Sequence, residues 1–504
     1  MPPAPAVEPG GSAPRDDRVV DDLVAVLAAC LPLLLFALTE RRLAGVPGFP
    51  LDDSWIHLHF ARNIAEGAGF SYNPGVPVAG STAPLWTLLL ALGAVLFGPS
   101  VALVKAIGVL TALAAAVVVR HASIAWGASR IGALGAAIGL AWTGAMAWGA
   151  FSGMEVTLAA LLVAAALWAH ARRHDAWTAL AVALATLARP EALIAVPLFL
   201  VARRLTVRRA LLFAGVTAAV LAPAVAFSLA TVGSPMPATA GAKIEGGLFG
   251  RLSGMREPPR VTWLSRPAEF FGGWVSWLWT TDWLLPLALL VALVLVWRRP
   301  GRALALPALA LIAHPLAMAL FAPYRSPGFQ EGRYSIHLLP VAFVVLAVAL
   351  GGRMTRVRLG LVGFYLVLAA VALFPAATRY GWAVQNINAM QVHLGRWVDA
   401  HLPRRGVIAV NDIGAIAYES RREVIDLVGL VSPEVLRYRR AGETETLRYL
   451  LARCPGHVIV FPEWYPEMTT RRDLLEPIYR VRLEHNTVAG ADEMVVYRLT
   501  GCPR

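Results

Sequence analysis

Two adjacent carboxylates, Asp52 and Asp53, follow the first long apolar stretch of the sequence. A carboxylate can serve as a general base that takes the proton of an attacking hydroxyl group, and a second acid nearby can orient the acceptor, bind a metal ion or raise the pKa of the first. The structural alternative is that one aspartate caps the helix that begins here, because Asp is favoured at helix starts. Capping needs only one of the two, so the pair favours a functional role.

The residues after the acidic pair have helical spacing over 54–66 and carry further groups that could contact a substrate. Trp55 offers an aromatic ring, and His57 lies one turn after Asp53 and can pair with it. His59 would face elsewhere on a helix. A metal site that uses both histidines therefore requires a non-helical backbone, and we predict no metal site built by the protein. The sequence leaves open whether a divalent cation takes part as a cofactor.

Five ionisable or aromatic residues at the ends of other apolar segments could converge on the acidic pair. They are Glu155, Arg189, Lys243, Arg333 and Tyr334. Lys243 is one of only two lysines in the chain, and the compact charge of an ammonium group suits a phosphate oxygen, although chance is an equal alternative. Arg333 could clamp a phosphate or extend to the membrane interface, where Tyr334 would join the aromatic belt.

The apolar content of the chain indicates a membrane protein. Of its 504 residues, 57% are hydrophobic and 15% are charged, which excludes an ordinary soluble domain of this length. A membrane-spanning helix needs about 20 apolar residues, and we predict about eleven such helices because some apolar segments are short enough to be half-spans. The candidate segments are 19–39, 84–97, 101–119, 131–151, 155–171, 175–188, 192–202, 209–231, 274–297, 303–322, 335–350 and 357–377.

The arginine clusters predict the topology. The formal net charge is +13, but the arginines lie in short loops between apolar segments rather than among aromatic residues on a soluble face, so they do not indicate nucleic acid binding. These clusters are Arg172-Arg173, Arg203-Arg204, Arg208-Arg209, Arg298-Arg299 with Arg302, and Arg353 with Arg356 and Arg358. The loops should be cytoplasmic, together with the amino terminus. The acidic pair should then lie on the outer face of the cytoplasmic membrane.

The chain divides into three parts by composition. Residues 1–18 are rich in Pro, Gly and Asp and are predicted to be a disordered cytoplasmic segment, and residues 19–377 form the membrane module. Residues 378–504 are predicted to be an α/β domain outside the cytoplasm, because strand and helix patterns alternate there. The predicted strands are 407–410, 424–427, 457–461 and 493–499, and the predicted helices are 383–401, 412–420 and 443–451.

Two features of this domain carry separate expectations. Asp412 follows a predicted strand and should cap the next helix. Cys454 and Cys502 could form a disulfide bond outside the cytoplasm, but two cysteines are too few to predict one from sequence.

Several short motifs, taken in order, resemble the GT-C superfamily of membrane glycosyltransferases. They are Asp52-Asp53-Ser54-Trp55-Ile56, Ala61-Arg62-Asn63, Asn73-Pro74-Gly75, Ser152-Gly153-Met154-Glu155, Arg189-Pro190-Glu191, Ala242-Lys243, Gly332-Arg333-Tyr334 and Asn411-Asp412-Ile413-Gly414-Ala415. The combination is similar to actinobacterial arabinofuranosyltransferases of the terminal β-(1→2) type and their bacterial relatives. The chain departs from that pattern at Ser54-Trp55, His57 and His59, which leaves the donor and acceptor sugars open.

The resemblance implies an inverting transfer of a sugar from a polyprenyl-phosphate-linked donor to a glycan or lipid acceptor on the outer face of the membrane. Asp52 or Asp53 would be the base. Lys243, Arg189 and Arg333 would meet the charge of the leaving phosphate. Substrate-binding roles would fall to His57, Glu155, Trp55 and Tyr334. The alternative is a transporter or flippase of lipid-linked sugars, which would predict internal repeats and polar residues near the bilayer midplane.

Overall fold

The computed structural model describes residues 15–297, 302–351 and 355–502. Within these residues, a helical module is followed by a small α/β domain, and the continuous helical segment Arg356–His401 connects the two. The domain boundary predicted near residue 378 therefore falls inside a helix. The segment enters the α/β domain without a flexible joint, so the two parts are held in a defined relation.

Among the described residues, five helices are long and apolar enough to cross a membrane. They are Asp17–Ala44, Val101–Ala125, Val207–Val232, Ala303–Phe321 and Arg356–His401. A sixth span is possible if the pair Arg130–Ala141 and Gly144–Phe151, which bends by 55°, counts as one. The shorter apolar helices are Pro84–Phe97, Val156–Ala171, Asp175–Ala188, Pro190–Val201, Leu285–Trp297 and Ile336–Leu350.

The predicted count of about eleven spans is not confirmed. The predicted span 274–297 is broken into the helices Arg266–Thr281 and Leu285–Trp297. The break follows from Asp282, whose carboxylate accepts a hydrogen bond from the Leu284 backbone N–H at 2.9 Å and so starts a new helix. The chain is nevertheless a membrane protein, because the long apolar helices expose hydrophobic side chains along much of their length.

The amino-terminal prediction needs correction at its boundary. Residues 15–18, predicted to be disordered, belong to the first helix, Arg15–Ala44, and residues 1–14 lie outside the described part of the chain. Ion pairs hold the start of this helix, since the Asp21 carboxylate accepts a hydrogen bond from Arg130 at 2.8 Å. The predicted cytoplasmic arginines Arg298, Arg299 and Arg353, and the side chain of Arg302, also lie outside the described residues.

Shorter helices in the segments between spans position the candidate site. They are Asp52–Ala65, which we call the acidic helix, Ala238–Lys243, which we call the lysine helix, and Gly247–Leu252, Val261–Ser265, Arg266–Thr281 and Phe329–Gly332.

The α/β domain contains one five-stranded sheet with the order β2-β1-β3-β5-β4. The strands are β1 (Ile408–Val410), β2 (Val424–Asp426), β3 (His457–Val460), β4 (Leu475–Arg482) and β5 (Glu493–Leu499). β1 pairs in parallel with β2 and β3, and β5 pairs antiparallel with β3 and β4. The predicted α/β class is confirmed. The sequence missed β4 because this edge strand alternates poorly and carries Glu476 and Pro477 near its start.

The helices of the α/β domain flank this sheet. They are Gly414–Ser420, which we call the docking helix, Leu436–Ala441, Glu443–Arg453 and Pro466–Thr469. Cys454, at the end of one of these helices, and Cys502, after β5, form a disulfide bond with their Cα atoms 5.7 Å apart.

The α/β domain packs directly on the acidic helix and on the loop that follows it. Ile56 and Phe60 of the acidic helix belong to the same apolar cluster as Ile416 of the docking helix. The Asn73 side chain donates to the Val424 carbonyl and accepts from the Val424 N–H, both at 2.9 Å, as a neighbouring strand would. The domain therefore lies on the same face of the membrane module as the acidic pair.

Candidate active site

The two aspartates open the acidic helix but do not cap it. Leu51 occupies the capping position in an extended conformation, and no side chain accepts a hydrogen bond from the first turn. Both carboxylates lie in that first turn, where the positive end of the helix favours negative charge. The capping alternative is therefore wrong, and the two carboxylates make their contacts with other parts of the chain.

Asp53 forms the centre of a charged cluster. Its carboxylate accepts a hydrogen bond from the Arg333 guanidinium at 2.5 Å, and the Lys243 ammonium lies 3.5 Å from the same oxygen. Burial alone would raise the pKa of Asp53, but Lys243 and Arg333 outweigh it and hold that pKa well below its usual range. Asp53 is therefore charged at neutral pH and balances part of the charge of two cations.

The two cations reach Asp53 from loops that are distant in sequence. The lysine helix follows Pro237. Thr239 in its first turn donates to the Gly80 carbonyl, which fixes the lysine helix to the segment before the helix Pro84–Phe97. Arg333 follows a turn in which Gly332 has a φ of +74°. A side chain at Gly332 would also overlap the ring of Trp277, so this position requires glycine.

Asp52 binds the α/β domain instead of a cation. Its two carboxylate oxygens accept hydrogen bonds from the backbone N–H groups of Gly414 and Ala415, at 2.6 and 2.8 Å. Asp52 thus caps the docking helix from another part of the chain. Burial, with the nearby charge of Asp412 second, raises the pKa of Asp52 well above its usual range.

Asp412 does not cap the docking helix, contrary to prediction. Ile413 occupies the capping position, and the Asp412 carboxylate accepts a hydrogen bond from the Gln391 side chain at 2.7 Å. The amides that Asp412 would have capped are taken by Asp52. Burial raises the pKa of Asp412 to about 6.

We expect Asp52→Asn to loosen the α/β domain. The new amide group presents N–H to one of two backbone N–H groups, so one buried hydrogen bond is replaced by a repulsive contact that costs about 1–3 kcal/mol. The thermal unfolding midpoint of the full chain in detergent should fall. Asp492→Asn is the control, because Asp492 is exposed in the same domain and its carboxylate forms no ion pair with any described residue. An unchanged midpoint in Asp52→Asn would contradict this role.

A second charged network lies behind Asp53. His57 Nε2 lies 3.4 Å from the Glu155 carboxylate, and Glu155 forms an ion pair with Arg189. Arg189 also pairs with Glu191 at 3.2 Å, and its guanidinium lies 4.9 Å from the centre of the Tyr334 ring. Two carboxylates already balance the charge of Arg189, whereas Lys243 and Arg333 share one.

Of the four predicted substrate-binding residues, Glu155 lines neither cavity because it is buried against His57 and Arg189, and the other three divide into two groups. His57 and Tyr334 line the cavity beside Asp53, and the Tyr334 hydroxyl accepts a hydrogen bond from Arg333 at 3.0 Å. Trp55 is 3% exposed and packs between Phe49 and Tyr418, with ring centres 5.1 and 5.2 Å away. Two residues along a helix turn the side chain by about 200°, which directs Trp55 away from Asp53.

Two cavities meet at the charged cluster. One has a volume of about 860 Å³ and largely apolar walls, which include Leu193, Ile194, Pro197, Ala317 and Phe321. The other, which we call the polar cavity, has a volume of about 1020 Å³ and walls of mixed polarity that include eleven charged residues, and it extends between the membrane module and the α/β domain. Five residues line both cavities: Asp53, Lys243, Tyr324, Arg325 and Arg333.

Sequence reasoning selected neither Tyr324 nor the charged member Arg325 of this set. Its guanidinium lies 5.2 Å from the centre of the Tyr324 ring and 5.5 Å from that of Phe329. Across residues 15–297, 302–351 and 355–502, no carboxylate forms an ion pair with it. The feature of the sequence that could have identified Arg325 is its position in the same short loop as Arg333.

The carboxylates at the site do not form a divalent cation site. In the part of the chain that the structure describes, no group of three or more His, Cys, Asp or Glu side chains is arranged to hold a metal ion. The Asp52 carboxylate accepts hydrogen bonds from two backbone amides, and the Asp53 carboxylate forms ion pairs with two cations. We therefore derive no step that passes through a metal.

Comparison with solved structures identifies the fold. ArnT from Cupriavidus metallidurans, bound to undecaprenyl phosphate, has a TM-score of 0.55 and 13% identity over 94% of this chain and 97% of its own. The oligosaccharyltransferase AglB from Archaeoglobus fulgidus, in complex with an inhibitory peptide and a dolichol-phosphate, has a TM-score of 0.58 and 12% identity over 96% and 74%. The mycobacterial arabinofuranosyltransferase AftD aligns at a TM-score of 0.44, with 15% identity over 97% and 42%.

The chain has the GT-C fold of membrane glycosyltransferases, as the sequence motifs predicted. At this level of identity the likeness concerns the fold and not the substrate. Residues 384–497 match the model of a domain of unknown function, DUF8728. No curated protein matches the sequence.

Proposed function

We propose that this protein is an inverting glycosyltransferase that moves a sugar from a polyprenyl-phosphate donor to an acceptor on the outer face of the cytoplasmic membrane. The observation that carries the proposal is the place of Asp53, Lys243 and Arg333, where an apolar cavity and a polar cavity meet. A lipid-linked sugar phosphate has the same order of parts, with an apolar chain, an anionic group and a polar sugar.

The apolar cavity suits the prenyl chain. The prenyl chain would exchange contacts with lipid tails for contacts with apolar side chains, so van der Waals packing would hold it there. Met236 and Phe249 come from the segments next to the lysine helix and line the same cavity, so a chain bound there would lead its phosphate toward Lys243. Similarity to a fold seen with undecaprenyl phosphate and dolichol-phosphate supports this donor class.

The charged cluster suits the leaving phosphate. Lys243, Arg333 and Arg325 line the place where the two cavities meet, and Asp53 alone balances the first two. A donor phosphate would compete with Asp53 for Lys243 and Arg333. As these cations turn to the phosphate, the pKa of Asp53 rises toward its ordinary value, and the carboxylate becomes able to accept a proton.

The transfer then needs one displacement. The acceptor hydroxyl approaches through the polar cavity and attacks the anomeric carbon, its proton passes to Asp53, and the bond from that carbon to the phosphate oxygen breaks. Polyprenyl phosphate leaves with its negative charge held by the cations. We assign the base to Asp53 rather than Asp52 because Asp53 lines both cavities, while both oxygens of Asp52 accept backbone hydrogen bonds.

The transporter alternative gains no support from the comparisons. Asp53, Lys243 and Arg333 gather at the face on which the α/β domain docks, rather than along a path through the helices. An arabinofuranosyl donor remains the narrower proposal from the sequence motifs.

A donor panel tests the activity. The full chain would be reconstituted with membrane acceptors from cells that lack it and given decaprenyl- or undecaprenyl-phosphate carrying radiolabelled arabinofuranose, galactofuranose, mannose or glucose. We expect label to move from lipid to a polar product with one of these donors, with release of one polyprenyl phosphate per sugar. Movement of intact labelled lipid across sealed vesicles without any transfer would instead support the transporter.

A further inference from the structure

The polar cavity reaches an exposed indole ring on the α/β domain. Trp464 is 47% exposed and lines the cavity that also contains Asp53. Across residues 402–502, it is the one large hydrophobic side chain that reaches this level of exposure. About half of the indole is not buried by the domain, so burial in the core does not fully explain its position.

The ring of Trp464 is held in place from behind. Its Nε1–H donates a hydrogen bond to the Gly490 carbonyl at 3.0 Å, and its ring centre lies 5.2 Å from that of Phe461. A side chain at Gly490 would overlap the indole, so glycine lets the loop lie flat against it. These contacts fix the ring while 47% of the side chain stays exposed.

The charges of the cavity favour a neutral ligand. Its lining includes five basic and six acidic residues, so the cavity has almost no net charge and would not select a polyanion or a polycation. Some of these charges are already paired within the lining, as Glu331 is with Arg379 at 3.1 Å. Thr446 and Thr487 add neutral polar groups on the side of the α/β domain.

We propose that Trp464 is the platform of an acceptor subsite for a neutral oligosaccharide. The apolar C–H face of a sugar ring would pack on the exposed part of the indole, and its hydroxyl groups would meet the polar wall. Trp464 does not line the apolar cavity, so this subsite serves the acceptor and not the donor lipid. The inference rests on the proposed glycosyl transfer and adds the chemical class of the acceptor.

Direct binding tests the subsite without the donor. Full-length protein in detergent would be titrated with neutral linear hexasaccharides of arabinofuranose, mannose and glucose, and with a sulfated hexasaccharide and an uncharged hexapeptide for comparison. We expect at least one neutral hexasaccharide to bind in preference to the other two classes. Trp464→Ala should weaken that binding about tenfold, whereas Trp464→Phe should retain most of it.

Trp397→Ala is the matched control, because Trp397 stacks on Tyr479 outside both cavities. No binding of any neutral hexasaccharide to the wild type, preference for the sulfated sugar or the peptide, or equal binding by Trp464→Ala would each overturn the subsite. Failure of the proposed function is thus distinguishable, since it would leave binding intact while no donor supports transfer.

Discussion

Asp53→Asn should abolish sugar transfer while leaving the fold and the lipid site in place. The amide cannot accept the proton of the attacking hydroxyl, and removal of a general base typically lowers the rate about 10²–10⁴-fold. The variant also removes the carboxylate that now balances Lys243 and Arg333. The two cations are then free for a phosphate, so Asp53→Asn should bind polyprenyl phosphate at least as tightly as the wild type does.

These two readouts separate the chemical role from a structural one. Single-turnover transfer with the active donor measures the first, and titration with polyprenyl phosphate in detergent measures the second. Asp52→Asn is the matched variant, because it changes the neighbouring carboxylate, which holds the α/β domain. Normal turnover by Asp53→Asn together with loss of chemistry in a well-folded Asp52→Asn would move the base to Asp52.

Arg333→Gln and Lys243→Gln should have the next largest effects. Each removes a cation that faces the leaving phosphate, and loss of one such group typically lowers the rate about 10²–10³-fold. The affinity for polyprenyl phosphate should fall as well, because the same cations meet the phosphate before and after transfer. This pattern is opposite to that of Asp53→Asn, which should lose turnover but not lipid binding.

Arg396→Gln controls for the loss of a positive charge, since Arg396 pairs with Glu419 at an exposed position outside both cavities. Arg189→Gln should act differently from Arg333→Gln. Arg189 is buried between Glu155 and Glu191, so its removal leaves Glu191 unpaired and Glu155 with only His57 nearby, and it should lower thermal stability more than it lowers phosphate affinity. Equal loss of phosphate affinity in Arg189→Gln and Arg333→Gln would mean that Arg189 also binds the phosphate.

The sequence predicted the parts of the site better than their arrangement. Asp53, Lys243 and Arg333 were selected because they are ionisable residues at the ends of apolar segments, and the structure brings them together. Local patterns could not assign their partners. The ion pair of Arg189 with Glu155 and the packing of Trp55 against Tyr418 depend on contacts between segments far apart in the chain.

The α/β domain shows the same division between local and distant information. Its class followed from alternating strand and helix patterns, whereas Asp412 was expected to cap the helix that Asp52 caps. The cap comes from more than three hundred residues away, so no local propensity could have revealed it. The predicted span count is not confirmed because several apolar helices are short or bent, and apolar content predicts burial in the membrane but not where a helix breaks.

A cryo-EM structure of the full chain with bound polyprenyl phosphate is the most direct test of the central claim. We predict that the prenyl chain lies in the apolar cavity, that the phosphate contacts Lys243 and Arg333, and that Asp53 has separated from Arg333. A phosphate bound elsewhere, with the pair between Asp53 and Arg333 intact, would contradict the claim.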